Sequence, residues 1–314
     1  SGTLIKIIDF TSTSMGGRLL KKHLRKPLTN IKKINFRLNA INELLTNKKL
    51  IDDIIDNLKQ IYDIERIISR ISNDKANPQD IMNLSKSLSI FEGINKLISN
   101  RYKCLKKIIN KKQNLTKIIN LINKTIINEP PVNFNKGYFI KMGLDKKLDE
   151  YRLISDDANK WLIEYQTAQR KQTNISSLKI SYNKVFGYFI DITKTHLSKV
   201  PDYFIRKQTL INSERYFTTE LKEYEEKILF SNDKCIEIEK EIFNNLKNKI
   251  TLQFKKIQSN AQILAHLDIS VSHALIAINY NYSMPKFNNK NGLEIIKGRH
   301  PVVEKLLPLN EDFI

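Results

Sequence analysis

The fold is decided by residues 178–193, LKISYNKVFGYFIDIT, where the spacing of the apolar residues changes. The segments 178–182 and 187–193 are rich in β-branched and aromatic residues and partly alternate, which predicts two short strands. Asn183 and Lys184 lie between them and are residue types compatible with a turn. This stretch therefore predicts a small β structure within a chain that is otherwise helical in pattern.

More strand candidates lie in residues 203–218, where Asn212 and Ser213 break the pattern. Long helical patterns flank the predicted strands, one over about 144–170 and the other from 219 to beyond 254. Their length favours extended helices or a coiled-coil arm over a compact bundle. The sequence thus predicts a small antiparallel sheet inserted between a helix that leads out and a helix that returns.

Helical periodicity covers most of the chain before this insertion. A continuous apolar stripe runs through residues 51–71, and a further helical run covers 105–122. Asn77, Pro78 and Asp80 have the order expected at a helix start, with a capping residue, a proline in the first turn and an acid near the positive end of the dipole. We therefore predict a mainly α protein built on a long-helix core bundle.

The chain has a formal charge of +20, from 53 basic and 33 acidic residues. Such an excess favours a polyanionic partner, most commonly nucleic acid. The abundance of Lys, Ile and Asn is also typical of an AT-rich genome, which by itself raises the charge, so charge alone does not settle the partner. Residues 179–218 carry a local excess of +4 with aromatic residues between the cations, which suits contact with phosphates.

The motifs of several enzyme classes are absent from the sequence. It contains no phosphate loop of the form Gly-x-x-x-x-Gly-Lys-Ser/Thr. The two cysteines, Cys104 and Cys235, form no Cys-x-x-Cys pair, which argues against zinc and against a disulfide framework. His266 and His273 share a helix face but have no acidic third ligand in register, so we expect no metal there. We predict that this chain has no catalytic activity and no cofactor of its own.

The ends of the chain and its most apolar stretch are relevant to the cellular compartment of the protein. The chain begins without Met and ends without a helix stop, so both ends look like cuts in a longer protein. Residues 263–278 are interrupted by polar side chains, which argues against a membrane span. We expect a reducing, cytoplasmic setting.

Several blocks of residues, in fixed order, resemble the MutS family of DNA mismatch repair proteins. The blocks are residues 9–20, 27–28 with Arg37, 63–67, 186–193, 200–201, 206–216, 220–229 and 298–304. The resemblance spans nearly the whole chain. Two positions depart from the family pattern. His23 stands where a Trp is common, and the segment 307–310 is slightly longer than the corresponding segment of the family.

The resemblance implies a domain arrangement. Residues 1–158 would be the first part of a core and lever domain, and residues 159–218 a clamp domain that contacts DNA. Residues 219–282 would complete the core and lever, and residues 283–314 would begin an α/β ATPase domain with its first strand segment, led by a strand from Leu293.

The resemblance also implies site residues. The DNA-contacting positions would be Asn183, Lys184, Asn212 and, through its backbone, Ile211. Charged neighbours are further candidates, while Glu214 and Arg215 would hold the fold of the clamp. The further candidates are Lys194, Arg206 and Lys207. At the other end of the chain, Phe313 would stack on adenine and Ile314 would offer a backbone contact to a nucleotide.

The partners implied for the parent protein are double-stranded DNA, ATP with Mg, a second copy in a homodimer and a MutL-type repair protein. No membrane is implied, and a bacterial parent protein would associate with the nucleoid. The clamp favours a repair-type MutS, and a meiotic relative without mismatch recognition is an alternative. A coiled-coil scaffold that docks another protein is a further alternative that leaves the basic turns unexplained. An ATPase acting on its own is disfavoured by the missing phosphate loop.

Overall fold

The structure is a computed structural model, which describes residues 3–133, 137–183, 185–287 and 292–306. The chain divides into two compact units. The first is formed by Ser1–Val132 with Leu246–Ile314, and the second by Asn133–Asn245. The helices and the single four-stranded sheet of the described residues confirm the prediction of a mainly α protein with a small antiparallel β part.

The first unit is a helical bundle. Its helices before residue 132 are α1 (Leu4–Ile8), α2 (Ser14–Arg25), α3 (Ile31–Leu45), α4 (Lys48–Leu58), α5 (Ile64–Ser72), α6 (Pro78–Leu97), α7 (Lys103–Ile109) and α8 (Thr116–Thr125). Helices α2 to α6 begin at polar capping residues. Asn77 accepts a hydrogen bond from the amide of Asp80 at 2.8 Å, and the Asp80 carboxylate accepts one from the amide of Asn77 at 3.2 Å. This reciprocal cap, with Pro78 at the first position, confirms the predicted helix start.

The apolar stripe over residues 51–71 is not carried by one helix, because α4 ends at Leu58 and α5 begins at Ile64. Asp63 caps α5 by accepting a hydrogen bond from the amide of Arg66 at 3.1 Å. Its carboxylate also accepts two hydrogen bonds from the guanidinium of Arg18 in α2, at 2.7 and 2.8 Å. A capping residue with a tertiary partner therefore breaks a stripe whose spacing alone looks continuous.

The run over residues 105–122 is interrupted in the same way, since α7 ends at Ile109 and α8 begins at Thr116. Between them the backbone amide of Gln113 donates to the side chain of Asn260 at 2.8 Å, and Asn260 donates back to the carbonyl oxygen of Gln113 at 2.9 Å. Asn260 is buried in a late helix, α11 (Phe254–Tyr280), so this turn is fixed by a partner that is distant in sequence.

Helix α11 (Phe254–Tyr280) is the principal core helix of the first unit. By length and composition it could cross a membrane, so composition alone does not exclude a span, but 67% of its apolar window is buried inside the protein. Its buried Asp268 accepts hydrogen bonds from the amides of Ser12 and Thr13 at 2.9 and 2.8 Å and from the Thr13 hydroxyl at 2.6 Å. Asp268, one of the polar residues that interrupt the stretch, thus anchors the start of α2.

The second unit contains a 28-residue helix, α9 (Lys146–Thr173), and most of the 33-residue α10 (Thr219–Thr251). Arg152 of α9 and Glu239 of α10 form an ion pair with side chains only 4% and 1% exposed. Ser155 donates to Asn232 at 2.9 Å along the same interface. The predicted long helices on either side of the insertion are confirmed, and they are joined by buried polar contacts. The second helix was predicted to run beyond residue 254, which is wrong, because α10 ends at Thr251 and a separate helix begins at Phe254.

The sheet lies between these helices in sequence, and its strands are β1 (Lys179–Asn183), β2 (Gly187–Thr193), β3 (Ile205–Thr209) and β4 (Ser213–Phe217). The strand order is β1-β2-β4-β3, and every neighbouring pair is antiparallel. A short 3₁₀ turn, Lys194–Lys199, follows β2. The pairing register places Asn183 opposite Gly187 and Thr193 opposite Ser213.

The strand expected from Leu293 is not formed within the described residues 292–306, where a short helix α12 (Pro301–Leu306) occurs instead. Leu293, Ile295 and Ile296 are 87%, 68% and 78% exposed. A strand requires a neighbouring strand to satisfy its backbone, and no described segment supplies one here. The prediction of a first ATPase strand was therefore wrong for these residues.

Candidate nucleic-acid interface

One face of the sheet is held by an apolar core shared with α9 and α10. Trp161 stacks on Tyr224 with ring centroids 3.5 Å apart and on Tyr165 at 4.5 Å. The Tyr165 hydroxyl shares a 2.7 Å hydrogen bond with the Thr218 hydroxyl, at the junction of β4 and α10. The buried members of this core are Ala158, Leu162, Tyr165, Ile175, Leu178, Ile190, Ile192, Phe204, Tyr216, Leu221 and Ile228. The sheet is thus fixed on its helices through one face.

The turn between β3 and β4 brings three of the predicted site residues together. Ile211 is 88% exposed, and the turn is closed by a 2.8 Å hydrogen bond from the Leu210 amide to the carbonyl oxygen of Ser213. The amide of Lys194 donates to the carbonyl oxygen of Asn212 at 3.2 Å. Over the part of the chain that the structure describes, the exposed side chains of Lys194 and Asn212 have no hydrogen-bond partner. An ammonium and an amide group are therefore free to donate at one turn.

Arg206 and Lys207 lie on β3, next to this turn but partly engaged within the sheet. The register shifts between Arg206 and Gln208, so Lys207 is the extra residue of a β-bulge, a feature that redirects a side chain. Its ammonium donates to the carbonyl oxygen of Phe186 and lies 5.3 Å from the ring centre of Phe217. Arg206 is 66% exposed and lies 3.8 Å from the buried Glu214 carboxylate. Arg206 is the freer cation of the two.

Glu214 and Arg215 do not pair with each other, but each is fixed within the sheet. Glu214 accepts a hydrogen bond from the Tyr216 hydroxyl at 2.5 Å, and burial together with this carboxylate raises the pKa of Tyr216 to about 12. Arg215 donates to the side chain of Gln208 at 2.8 Å and lies 4.2 Å from the ring centre of Phe189. These two residues hold the sheet together, and their charges are not directed at a partner.

Asn183 lies apart from Lys194, Ile211 and Asn212, although Lys207 reaches the turn beside it through the carbonyl oxygen of Phe186. Asn183 adjoins the β1–β2 turn, where its side-chain oxygen accepts a hydrogen bond from the amide of Val185 at 2.8 Å. This turn and the β3–β4 turn flank opposite ends of β2, which spans seven residues, so they are separated by about 20 Å. The sequence-based prediction placed both turns at one tip of the insertion, whereas the structure does not bring Asn183 and Asn212 together. Lys184 lies outside the described residues.

The β1–β2 turn is pressed against α10, which the sequence did not suggest. Gly187 has a φ of +69°, and a Cβ added there would lie 1.7 Å from a carboxylate oxygen of Glu225. Only glycine meets both the conformation and the close approach. The signal available in the sequence was a glycine following a turn-compatible pair, which does not reveal its partner.

The predicted nucleotide contacts and the possibility of a metal site concern other parts of the chain. Phe313 and Ile314, the proposed nucleotide contacts, lie outside the described residues. Among the described residues, no group of three His, Cys, Asp or Glu side chains could hold a metal ion.

Residues 1–274 match MutS domain III. The chain belongs to the MutS family. It is 40% identical over 309 residues to the DNA mismatch repair protein MutS of Clostridium tetani. The aligned region covers 98% of this chain and 35% of that protein. It is 41% identical over 310 residues to the DNA mismatch repair protein MutS of Alkaliphilus oremlandii, and 40% identical over 306 residues to that of Halothermothrix orenii. The chain spans about a third of the length of these MutS relatives.

Proposed function

We propose that this MutS-family chain is the lever and clamp part of a DNA mismatch repair protein, and that it grips duplex DNA through the phosphate backbone. The observation that carries the proposal is the β3–β4 turn, where the free side chains of Lys194 and Asn212 flank the exposed Ile211. Arg206 adds a second exposed cation on the adjacent strand. The names of the MutS relatives agree with this role.

The chemistry at this turn suits phosphate contact without base readout. A lysine neutralises a phosphate and releases counterions, while an amide side chain donates a hydrogen bond to a phosphate oxygen. Ile211 offers its backbone amide without a charged side chain. Such contacts position a protein on duplex DNA but carry no direct sequence information. Mismatch reading would have to come from another part of the parent protein.

The long helices of the second unit suit the transmission of a mechanical signal. Helix α9, at 28 residues, is about 40 Å long, since each residue of an α-helix adds about 1.5 Å. The Arg152–Glu239 ion pair and the Trp161 stack tie α9 to α10 along this length. Cross-links of this kind would make the pair of helices move as one stiff element when the sheet engages DNA.

We further propose the whole-protein functions that the family implies. The parent protein would bind ATP with Mg, form a homodimer and cooperate with a MutL-type repair protein. Nucleotide contacts at Phe313 and Ile314 remain part of this proposal. This chain alone would have no ATPase activity, because its sequence contains no phosphate loop.

The proposal is tested by DNA binding with variants of the β3–β4 turn. Fluorescence anisotropy would compare a matched short duplex with the same duplex carrying one mismatch. We expect weak binding with no mismatch preference, and the combined Lys194→Gln and Asn212→Ala variant should bind roughly tenfold more weakly. The control is Lys147→Gln, which removes an exposed lysine at the far end of α9 in the same unit.

The outcome separates the clamp from the scaffold alternative. If the double variant and the control bind DNA equally well, the turn is not the contact, and a scaffold that docks another protein becomes the better account. A clear preference for the mismatched duplex would contradict backbone gripping. Circular dichroism of each variant shows whether its helices are intact.

A further inference from the structure

A basic cavity lies in the first unit, in a region that the proposed DNA contact does not use. It has a volume of about 610 Å³, within the range of small-molecule sites. Its described lining contains no aspartate or glutamate. Its charged and histidine side chains are Lys32, Lys33, Arg37, Lys107, Lys111, His23, His266 and His273. Five fixed positive charges therefore face one space without a carboxylate among the lining residues.

The first turn of α3 concentrates positive potential at this cavity. Lys32 and Lys33 occupy that turn, which contains no acidic residue. Cations are disfavoured there because the helix dipole is positive at its start. Neither ammonium has a protein partner among the described residues. The arrangement is unfavourable without an anion and favourable with one.

The histidines of the cavity are held in their neutral form by the same surroundings. A guanidinium nitrogen of Arg37 lies 2.9 Å from Nε2 of His23, and the rings of His23 and His266 have centroids 5.6 Å apart. Desolvation first, and then Arg37 and its neighbours, lower the pKa of His23 to about 4. The pKa values of His266 and His273 are lowered for the same two reasons.

Apolar and aromatic side chains form the rest of the wall. Phe36 lies beside the cations, and Lys107 sits 5.6 Å from its ring centre. The two imidazole rings extend this surface. The aliphatic lining residues are Leu28, Ile41, Ile108, Ile263 and Ile269. A ligand that matched this lining would carry an anionic group and a flat or apolar group together.

We infer that this cavity binds a small phosphorylated ligand that carries an aromatic ring, of the chemical class of a mononucleotide. The phosphate would be held by the guanidinium of Arg37 and the ammonium groups of Lys33 and Lys111. Arginine and lysine are both well suited to phosphate, the first by paired donors and the second as a point charge. The ring would pack against Phe36 and the imidazoles. The inference is independent of DNA gripping by the second unit.

Binding would be linked to proton uptake. An anion beside His23 opposes the effect of Arg37 and so favours the imidazolium form. The groups that face His23 are Lys22 on its own helix, Arg37 on α3, and His266 and His273 on α11. All of these are cationic or become cationic on protonation. Affinity for the phosphorylated ligand should therefore rise as the pH falls from 7 towards 5.

The experiment is calorimetric titration of the whole chain with adenosine monophosphate, pyrophosphate and adenosine as separate probes. We expect adenosine monophosphate to bind most tightly, pyrophosphate more weakly and adenosine weakest. Arg37→Gln should weaken the binding of adenosine monophosphate roughly tenfold, the value of one charge-assisted hydrogen bond. Lys111→Gln, at an exposed position that should tolerate change, should weaken it in the same direction. The matched control is Lys48→Gln, an exposed lysine outside the cavity.

The histidine signals of a nuclear magnetic resonance titration give a second readout. A cavity ligand should shift the imidazole resonance of His23 and raise its pKa, whereas a ligand bound elsewhere should leave both unchanged. The inference is overturned if adenosine monophosphate fails to bind at millimolar concentration. It is also overturned if Lys48→Gln weakens binding as much as Lys111→Gln does, since the effect would then be one of net charge.

Discussion

Arg152 and Glu239 form a buried ion pair between the two long helices of the second unit, with Nη2 and Oε1 2.5 Å apart. Arg152 also donates to the carbonyl oxygen of Ile140 at 2.9 Å, so the pair ties a third segment to the helices. Both side chains are almost completely removed from water. The stiffness proposed for the lever helices therefore depends on a contact in which the loss of one partner would strongly reduce stability.

Removing one member of this pair should be costly. Arg152→Met or Glu239→Leu alone should lower the free energy of unfolding by about 3–5 kcal/mol, because each leaves a buried charge without its partner. The double variant should lose less than either single variant, since neither member of the pair is then left without the other. Urea unfolding of the four proteins gives the cycle. Single variants within about 1 kcal/mol of the parent would show that the pair does not join the helices in solution.

The packing of α2 on α11 gives a second prediction. A Cβ on Gly16 would lie 2.2 Å from a carboxylate oxygen of Asp268, and this carboxylate is held by Ser12 and Thr13. Gly16→Ala should therefore destabilise the first unit by about 3 kcal/mol, at the upper end of the cost of overpacking. The matched control is Gly93→Ala in α6, where the nearest atom to an added Cβ is 4.0 Å away. That change should stabilise the protein by about 0.5–1 kcal/mol.

Thermal or urea unfolding of both glycine variants makes this comparison. Two alanine variants with equal stability would mean that the Asp268 carboxylate moves away freely, and that the start of α2 is not anchored as described.

The pKa of His23 makes a prediction about acid sensitivity. It is about 4 in the folded protein and near 6.5 when unfolded. As the pH falls below 6.5, the unfolded state takes up a proton at this position while the folded state does not, so stability is lost progressively down to about pH 4. His23→Phe should remove this contribution and make the protein less sensitive to acid. Unfolding curves at several pH values between 7 and 4 test it, and parallel pH profiles for the two proteins would contradict it.

Much of the fold could be predicted because its signals are local. The cap formed by Asn77 and Asp80 lies within one turn of chain, and the β-branched residues of β1 and β2 identify strands without their partners. The break at Asp63 was missed because the spacing of isoleucines continues across it, while the cap and the Arg18 contact that end the stripe are not periodic features.

The site was predictable only in part for the same reason. Asn212 and Lys194 follow from turn chemistry and local charge, but their contact depends on how β4 pairs with β2. The separation of Asn183 from Asn212 also depends on strand order, which residue types do not specify. His23, Arg37 and His266 come from three helices, so their cavity could not be recognised from sequence spacing.

The salt dependence of DNA binding tests the central claim of a phosphate grip most directly. The logarithm of the binding constant falls linearly with the logarithm of salt concentration, with a slope of about −0.9 for each phosphate neutralised. Lys194→Gln should make this slope shallower by about 0.9, the contribution of one neutralised phosphate. Asn212→Ala should weaken binding without changing the slope, because an amide donor releases no counterion, and Lys147→Gln should leave the slope unchanged. Identical slopes for the parent chain and Lys194→Gln would contradict the account.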